Sequence, residues 1–368
     1  MSLAFENIDQ KRKEKKENYF LPFLNFIRST LPRRSLPCIL CLPSQNFRAR
    51  WNKILTHAAI GKKKLKMPLY AGFDLGGTHL KYGLIDDGGR ILFKARAESP
   101  AKIEELIHLL KRIWQDLKKR EKQGIRAAGF GFPGIFSLEE QKIFQSPNYP
   151  ELDNFALTPA LSRFIEVPFC VNNDANMAAF GEFKCGAGQG VQSMVFLTIG
   201  TGVGSGIILD GKLWLGKCGF AGELGHATVN PQGERCNCGS QGCLETEVSA
   251  PKIVKNYNTL RKKREQITAE EVFHRAKKGD NDALQAFSQA GFYLGVGLSI
   301  AINLLNPDKI LLGGAVMEAG DFLLSPALKE ALKRSYKASF KCCRIEKASL
   351  GNKAGLIGAA LWAKEQLL

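Results

Sequence analysis

The sequence predicts an α/β protein built around two sheets. Strand-like and helix-like patterns alternate twice along the chain. Two turns rich in Gly and Thr each fall between a pair of strand patterns, and sustained periodicity begins only after residue 66. The 368 residues are 45% hydrophobic and 24% charged, the composition of a soluble globular protein. That length suits two domains better than one.

The first strand is expected at Leu69–Asp74, followed by a Gly-rich turn and a second strand at Lys81–Ile85. Asp86-Asp87-Gly88-Gly89 reads as a hairpin turn into a third strand near Ile91–Arg96. Ile103, Leu106, Ile107, Leu110, Ile113 and Leu117 recur at helical spacing, predicting an amphipathic helix that closes near Gly124. Strands are expected at Arg126–Phe132 and Pro168–Asn172 with a helix near Pro159–Ile165 between them, and a helix at Asn173–Phe183. Ser193–Ile199 and Val203–Leu209 read as a strand pair around a glycine loop. Beyond Thr246 the pattern is mostly helical, with one strand at Lys309–Leu312. The last helix is expected to be capped by Asn352 and to present Leu356, Ile357, Ala360, Leu361 and Leu368.

The net charge of +17 is unevenly placed. Residues 1–66 hold 15 Lys/Arg against 4 Asp/Glu, and the remaining 302 hold 37 against 31. The basicity therefore belongs mostly to an extension without period, read as disordered or non-native rather than as a nucleic-acid or membrane arm. Met67 directly precedes the first strand and reads as the natural start. No apolar run reaches the ~18 residues of a membrane span, Ala290 to Leu305 being interrupted by Gly295, Gly297 and Asn303. Neither Leu21–Ile27 nor Leu36–Pro43 has the length and cleavage site of a signal peptide. The ten cysteines form no disulfide framework. Cys38 and Cys41 make an isolated CxxC read as incidental.

Five segments carry chemistry. In Asp74-Leu75-Gly76-Gly77-Thr78 the glycines let backbone approach a phosphate, Thr78 can donate to it, and Asp74 can hold a water of hydrated Mg²⁺. The segment from Thr198 through Gly200, Thr201, Gly202 and Gly204 repeats that chemistry between two strands. Lys309–Leu312 runs into Gly313-Gly314, whose bare backbone could admit a flat adenine. These segments are neither a Walker A loop nor GxGxxG, because no GK followed by Ser or Thr appears and the glycines follow hairpins, and each hairpin alone also fits a plain tight turn. His226 with Cys236, Cys238 and Cys243 could close a tetrahedral zinc site with no open position, hence a structural one. Asp174, beside Asn173 at a strand end, could take the proton of a hydroxyl attacking a phosphoryl group, although by position alone a helix N-cap is the better reading.

These segments together carry a resemblance. From about Leu69 to the end, some four-fifths of the chain, the sequence resembles the ROK family of sugar kinases and sugar-responsive repressors, and most its glucokinase-type enzymes. Asp74–Thr78 matches a DxGGT signature, Glu223-Leu224-Gly225-His226 lies in a GExGH motif, and Cys236–Glu245 matches CxCGxxGCxE. The resemblance implies a two-domain actin-like ATPase (ribonuclease H-like) fold with an ATP/sugar cleft between the domains. The small domain would be 67–173 plus 352–368, and the large domain 174–351.

It further implies an ATP-dependent hexose kinase, glucose to glucose 6-phosphate being the default and N-acetylmannosamine, N-acetylglucosamine, fructose or allose the alternatives. Asp174 would be the catalytic base. Gly134, Asn148, Asn173, Asp174, Glu223, His226 and Glu245 would hold the sugar. Asp74, Gly76, Gly77, Thr78, Gly200, Thr201, Gly202 and Gly204 would hold ATP phosphates with Mg²⁺, and Gly313 and Gly314 would lie near adenosine. His226, Cys236, Cys238 and Cys243 would hold a structural Zn²⁺. A cytoplasmic homo-oligomer, dimer or tetramer, is expected, without a membrane or nucleic-acid partner. The rival expectation is a sugar-sensing repressor, but residues 1–66 lack two periodic helices around a Gly-containing turn.

Overall fold

The buried run of Leu69–Leu75 (β1) is hydrogen-bonded on both edges, which is why every one of its residues is enclosed. In the computed structural model, which describes residues 67–121, 124–146 and 149–368, β1 is the centre of the first sheet. The extension 1–66, the Cys38/Cys41 pair and Asn148 lie outside the described residues. Along the chain follow β2 (His79–Asp86), β3 (Ile91–Glu98), α1 (Ile103–Arg120), β4 (Ile125–Phe132), β5 (Ile135–Ser137), β6 (Lys142–Gln145), α2 (Leu157–Ser162) and β7 (Phe169–Asn173). Next come α3 (Asp174–Cys185), β8 (Met194–Ile199), β9 (Val203–Leu209), β10 (Lys212–Leu213), α4 (Leu244–Val248), α5 (Ala250–Leu260), α6 (Ala269–Lys277) and α7 (Asn281–Leu305). The chain ends with β11 (Lys309–Gly313), α8 (Asp321–Arg334), α9 (Lys337–Cys342), β12 (Arg344–Lys347) and α10 (Ala354–Leu367).

The two large sheets share one plan. The first has order β3-β2-β1-β4-β7 and the second β10-β9-β8-β11-β12. In each, three antiparallel strands are extended by two parallel ones. Because the plan repeats, the β1–β2 and β8–β9 turns occupy equivalent places, and these turns are the two Gly/Thr segments.

Between the sheets lie two helices. α10 packs on β1 and β4, α3 packs on β8 and β9, and the helices pack on each other. Ten residues of α10, from Ala354 to Ala363, are buried, so its sequence is apolar all round rather than striped. Phe180 of α3 meets Trp362 of α10 edge to face at 5.1 Å between centroids. On the far side of the first sheet, α1 buries Leu106, Leu110, Trp114 and Leu117. The second sheet is covered by α4 to α8.

Several expectations need correction. Asn352 does not cap the last helix: Lys353 holds the cap position without a side-chain bond, after a short 3₁₀ turn at Gly351–Lys353. Leu368 falls beyond that helix and is exposed. Gly295 and Gly297 do not interrupt α7, which runs 25 residues with twelve of them buried. It is long and apolar enough by composition to cross a membrane, but half of its most apolar window is buried against the rest of the protein. β5, β6, β10 and β12 were not foreseen, all being four residues or shorter. The eight described cysteines are free thiols.

Candidate active site

Strand ends assemble the site. β4, β7, β8 and β11 finish at Phe132, Asn173, Ile199 and Gly313, and the carboxyl ends of parallel strands are where open α/β sheets bind ligands. Parallel pairing sets Asn173 beside Phe132, one turn from Gly134. The Asn173 side chain is an N-cap, its Oδ1 accepting from the Asn176 N–H at 3.0 Å. Its Nδ2 donates to the Gly134 carbonyl at 3.0 Å. The N-cap reading of this segment is thus correct for Asn173, and it frees the next residue, Asp174, to point its carboxylate from the helix start.

Two cavities meet at Asp174. The first, of about 310 Å³, is lined by Gly134, Asn173, Asp174, Glu223, His226 and Glu245. Gly76, Gly77, Gly200, Thr201, Gly202 and Gly204 form its opposite rim. The second, of about 390 Å³, is lined by Asp74, Gly76, Lys81, Asp174, Gly313 and Gly314. A third, of about 530 Å³, shares Ala315 and Glu318 with the second and has Phe273, Phe287 and Val316 as apolar walls.

Thr78 lines none of these cavities. It is exposed at the hairpin tip, with its carbonyl accepting from Ser99. At Gly314, which lines the second cavity, φ is +89° and an added Cβ would lie 2.2 Å from the Ile199 carbonyl oxygen, so the glycine is required for packing. At Gly355 an added Cβ would lie 2.6 Å from the Asp74 carboxyl carbon, so any side chain at position 355 would displace Asp74.

Charge is concentrated here. Asp174 accepts from the Ala175 N–H at 2.9 Å, yet burial, then the nearby Asp74 charge, raise its carboxyl to about 6. Burial and the charges of Asp174 and Glu245 raise Glu223 to about 7. The Lys81 ammonium lies 3.0 Å from Asp74 Oδ2.

Two members of the Cys/His cluster, His226 and Cys238, line the first cavity. The four donor atoms of the cluster lie within 4.8 Å of one another. Cys236 Sγ is 3.6 Å from His226 Nδ1, and Cys238 Sγ is 3.7 Å from Cys243 Sγ. Tetrahedral zinc with 2.3 Å bonds to sulfur sets sulfurs about 3.8 Å apart, so the cluster fits that ion. The other ring nitrogen, Nε2, lies 3.9 Å from Glu223 Oε2. Glu245 reaches both ways, accepting from the Val203 N–H at 2.8 Å and standing 4.0 Å from Cys236 Sγ. The second Gly/Thr hairpin is therefore joined to the metal-type loop, although they are far apart in sequence.

The sequence profile of the ROK family matches residues 70–366. The chain belongs to the ROK family. It is 36% identical to a glucokinase of Halalkalibacterium halodurans over 81% of this chain and 95% of that one. A ROK glucokinase of Streptomyces griseus, solved with glucose and AMPPNP, superposes with a TM-score of 0.72 at 30% identity, covering 81% of this chain and 99% of that one. A xylose repressor of Caldicellulosiruptor bescii is 29% identical over 78% of this chain and 76% of its own length.

In this ROK chain the structure brings only part of the sequence-derived set of sugar residues together. Gly134, Asn173, Asp174, Glu223, His226 and Glu245 line one cavity. Thr78 stands apart, and Asn148 is outside the described residues. Lys81, Gly355 and the walls formed by Phe273, Phe287 and Val316 were missed. Lys81 carried a signal, since it recurs with His79 on one face of β2 by the period of 2. The apolar walls carried none, because they come from separate helices and look like ordinary core.

Proposed function

We propose that this ROK protein is an ATP-dependent hexose kinase, with glucose the default acceptor. The observation that carries the reading is the position of Asp174, which borders the first and second cavities at once. The first cavity is polar, with Glu223, His226, Glu245 and Asn173 as hydrogen-bonding groups for sugar hydroxyls. The second has glycine backbone and two lysines, Lys81 and Lys347, which suits phosphates. The apolar third cavity, which shares Ala315 and Glu318 with it, suits adenine, so the base is assigned there rather than at Gly313-Gly314.

In this reading Asp174 takes the proton of the sugar hydroxyl as that oxygen attacks the γ-phosphorus. The bond to the ADP oxygen breaks, giving sugar phosphate, ADP and a proton. Asp74, held by Lys81 and given room by Gly355, would hold magnesium through water, and the ion would offset charge on the phosphates. His226, Cys236, Cys238 and Cys243 would hold zinc. The bound ion would fix the His226 ring so that Nε2 faces Glu223 and the sugar.

A coupled ADP-release assay over a panel of glucose, fructose, allose and N-acetylated hexosamines tests the proposal. Sugar-dependent ADP release supports it. Sugar-dependent operator binding without ADP release would establish the repressor reading instead.

A further inference from the structure

The core helix α7 carries a polar stripe that packing does not explain. Gln285, Ser288, Gln289 and Phe292 recur at i, i+3, i+4 and i+7, so they share one helix face. Lys252 and Asn256, four residues apart on α5, border the same cavity, of about 590 Å³. Asn230, Glu247 and Tyr293 complete its lining. It shares no lining residue with the three cavities of the candidate active site, and it is larger than the first. The side chains of Asn256, Gln285, Ser288 and Gln289 make no hydrogen bond to other described residues.

The charges in this cavity are already matched. Glu247, 2% exposed, accepts from Asn230 Nδ2 at 2.9 Å and lies 3.3 Å from the Lys252 ammonium. Glu234 holds the same ammonium at 2.7 Å. What remains for a ligand is neutral: amides that both donate and accept, a hydroxyl, and the partly exposed Phe292 ring. Neighbouring sugar hydroxyls need such paired donors and acceptors, and the ring can cover an apolar sugar face. We propose that this cavity is a second carbohydrate site, for a neutral sugar of one or two hexose units, whose occupancy is felt at the first cavity. Glu247 lies on α4 two residues beyond Glu245, which lines the first cavity. The Asn230 N–H donates to the Gly242 carbonyl at 3.1 Å, next to Cys243. A sugar bound to Asn230 and Glu247 therefore bears on both α4 and the Cys/His loop. The inference does not rest on the kinase reading, because its readout is binding.

The test is hydrogen–deuterium exchange with peptide mass mapping on the full chain, titrated separately with glucose, maltose, cellobiose and inorganic phosphate. At least one of the three sugars should slow exchange in 250–260 and 281–293, and with them in 229–247. Phosphate should leave these peptides unchanged. A double variant, Asn256→Ala with Gln289→Ala, removes two side chains that bind nothing in the fold and should leave the unliganded exchange pattern unaltered. Loss of their hydrogen bonds should raise the sugar concentration needed for half protection about 5- to 100-fold. Protection around Asn173 and Asp174 at high glucose should survive in the double variant, since the first cavity is untouched. No protection of α5 and α7 by any of the three sugars, equal protection in the double variant, or protection by phosphate would overturn the site. Protection that stops at α5 and α7 without reaching 229–247 would overturn the coupling to the first cavity.

Discussion

Phe144 and Phe220 face each other with ring centroids 5.9 Å apart, joining two segments that border the sugar-side cavity. Phe144 lies on β6, whose neighbour Gln145 lines the cavity, and Phe220 precedes Glu223 on the other wall. The Leu138 N–H also donates to the Cys218 carbonyl at 3.2 Å, tying the same two segments. Both rings remain partly exposed, 47% and 38%, so the pair acts as a clasp rather than as core. An aromatic pair contributes about 0.5–1.5 kcal/mol. Phe220→Ala should therefore raise KM for glucose several-fold, change KM for ATP little, and increase ATP hydrolysis without sugar. Steady-state kinetics with both substrates varied would reject the clasp if the two KM values moved together.

Asp174→Asn should retain glucose binding while kcat falls by roughly 10²-fold or more. Near-normal turnover in the variant would remove Asp174 from the mechanism.

The raised carboxyl of Asp174 sets a pH limit. A base must be unprotonated, so kcat/KM should fall as pH drops through about 6, where this carboxyl titrates. An acid limb near the ordinary value of 3.8 would show that another group is the base.

The same shift has a stability consequence of opposite sign to a salt-bridged aspartate. With its folded value raised from 3.8 to about 6, Asp174 favours folding most when protonated in both states, below pH 3.8. That contribution is lost as pH rises through 6. Ionised Asp174 then costs up to about 3 kcal/mol at pH 7. Asp174→Asn should melt several degrees above wild type at pH 8, and the gap should narrow as pH falls from 6 toward 4. A gap that does not depend on pH would contradict the burial-driven shift.

Zinc removal should act on the sugar first. Cys238→Ser or chelation should raise KM for glucose, because His226 belongs to both the Cys/His cluster and the cavity. The Glu245 bridge from Cys236 to the Val203 N–H links the cluster to the second hairpin, so a smaller rise in KM for ATP is expected. Elemental analysis should give about one zinc per chain. Zinc-free active enzyme would end this account.

A chain starting at Met67 should fold and turn over like the full chain, since Met67–Leu368 forms one compact unit. A large rise in either KM on truncation would show that residues 1–66 contribute to catalysis.

What the sequence determined by itself was local. The period of 3.6 marked α1, and its Ile103, Leu106, Leu110, Ile113 and Leu117 are all buried. Glycine and threonine between apolar runs marked both hairpins, because backbone sterics and side-chain alternation act over a few residues. The ligand types of His226, Cys236, Cys238 and Cys243 marked a metal-type loop, which closes locally. Strands as short as β5, β6, β10 and β12 hold too few residues to show a period.

Tertiary structure decided everything that depends on distant segments meeting. Register placed Lys81 opposite Asp74, and the packing of α3 against α10 brought the Asp174 and Gly355 helix starts to one cleft. Parallel pairing set Asn173 beside Phe132, near Gly134, and Glu245 joined a hairpin to the Cys/His loop. The apolar third cavity exists only because three separated helices and the turn after β11 enclose it. Such contacts are fixed by which strand ends align and how helices cover a sheet, which no pattern confined to neighbouring residues encodes.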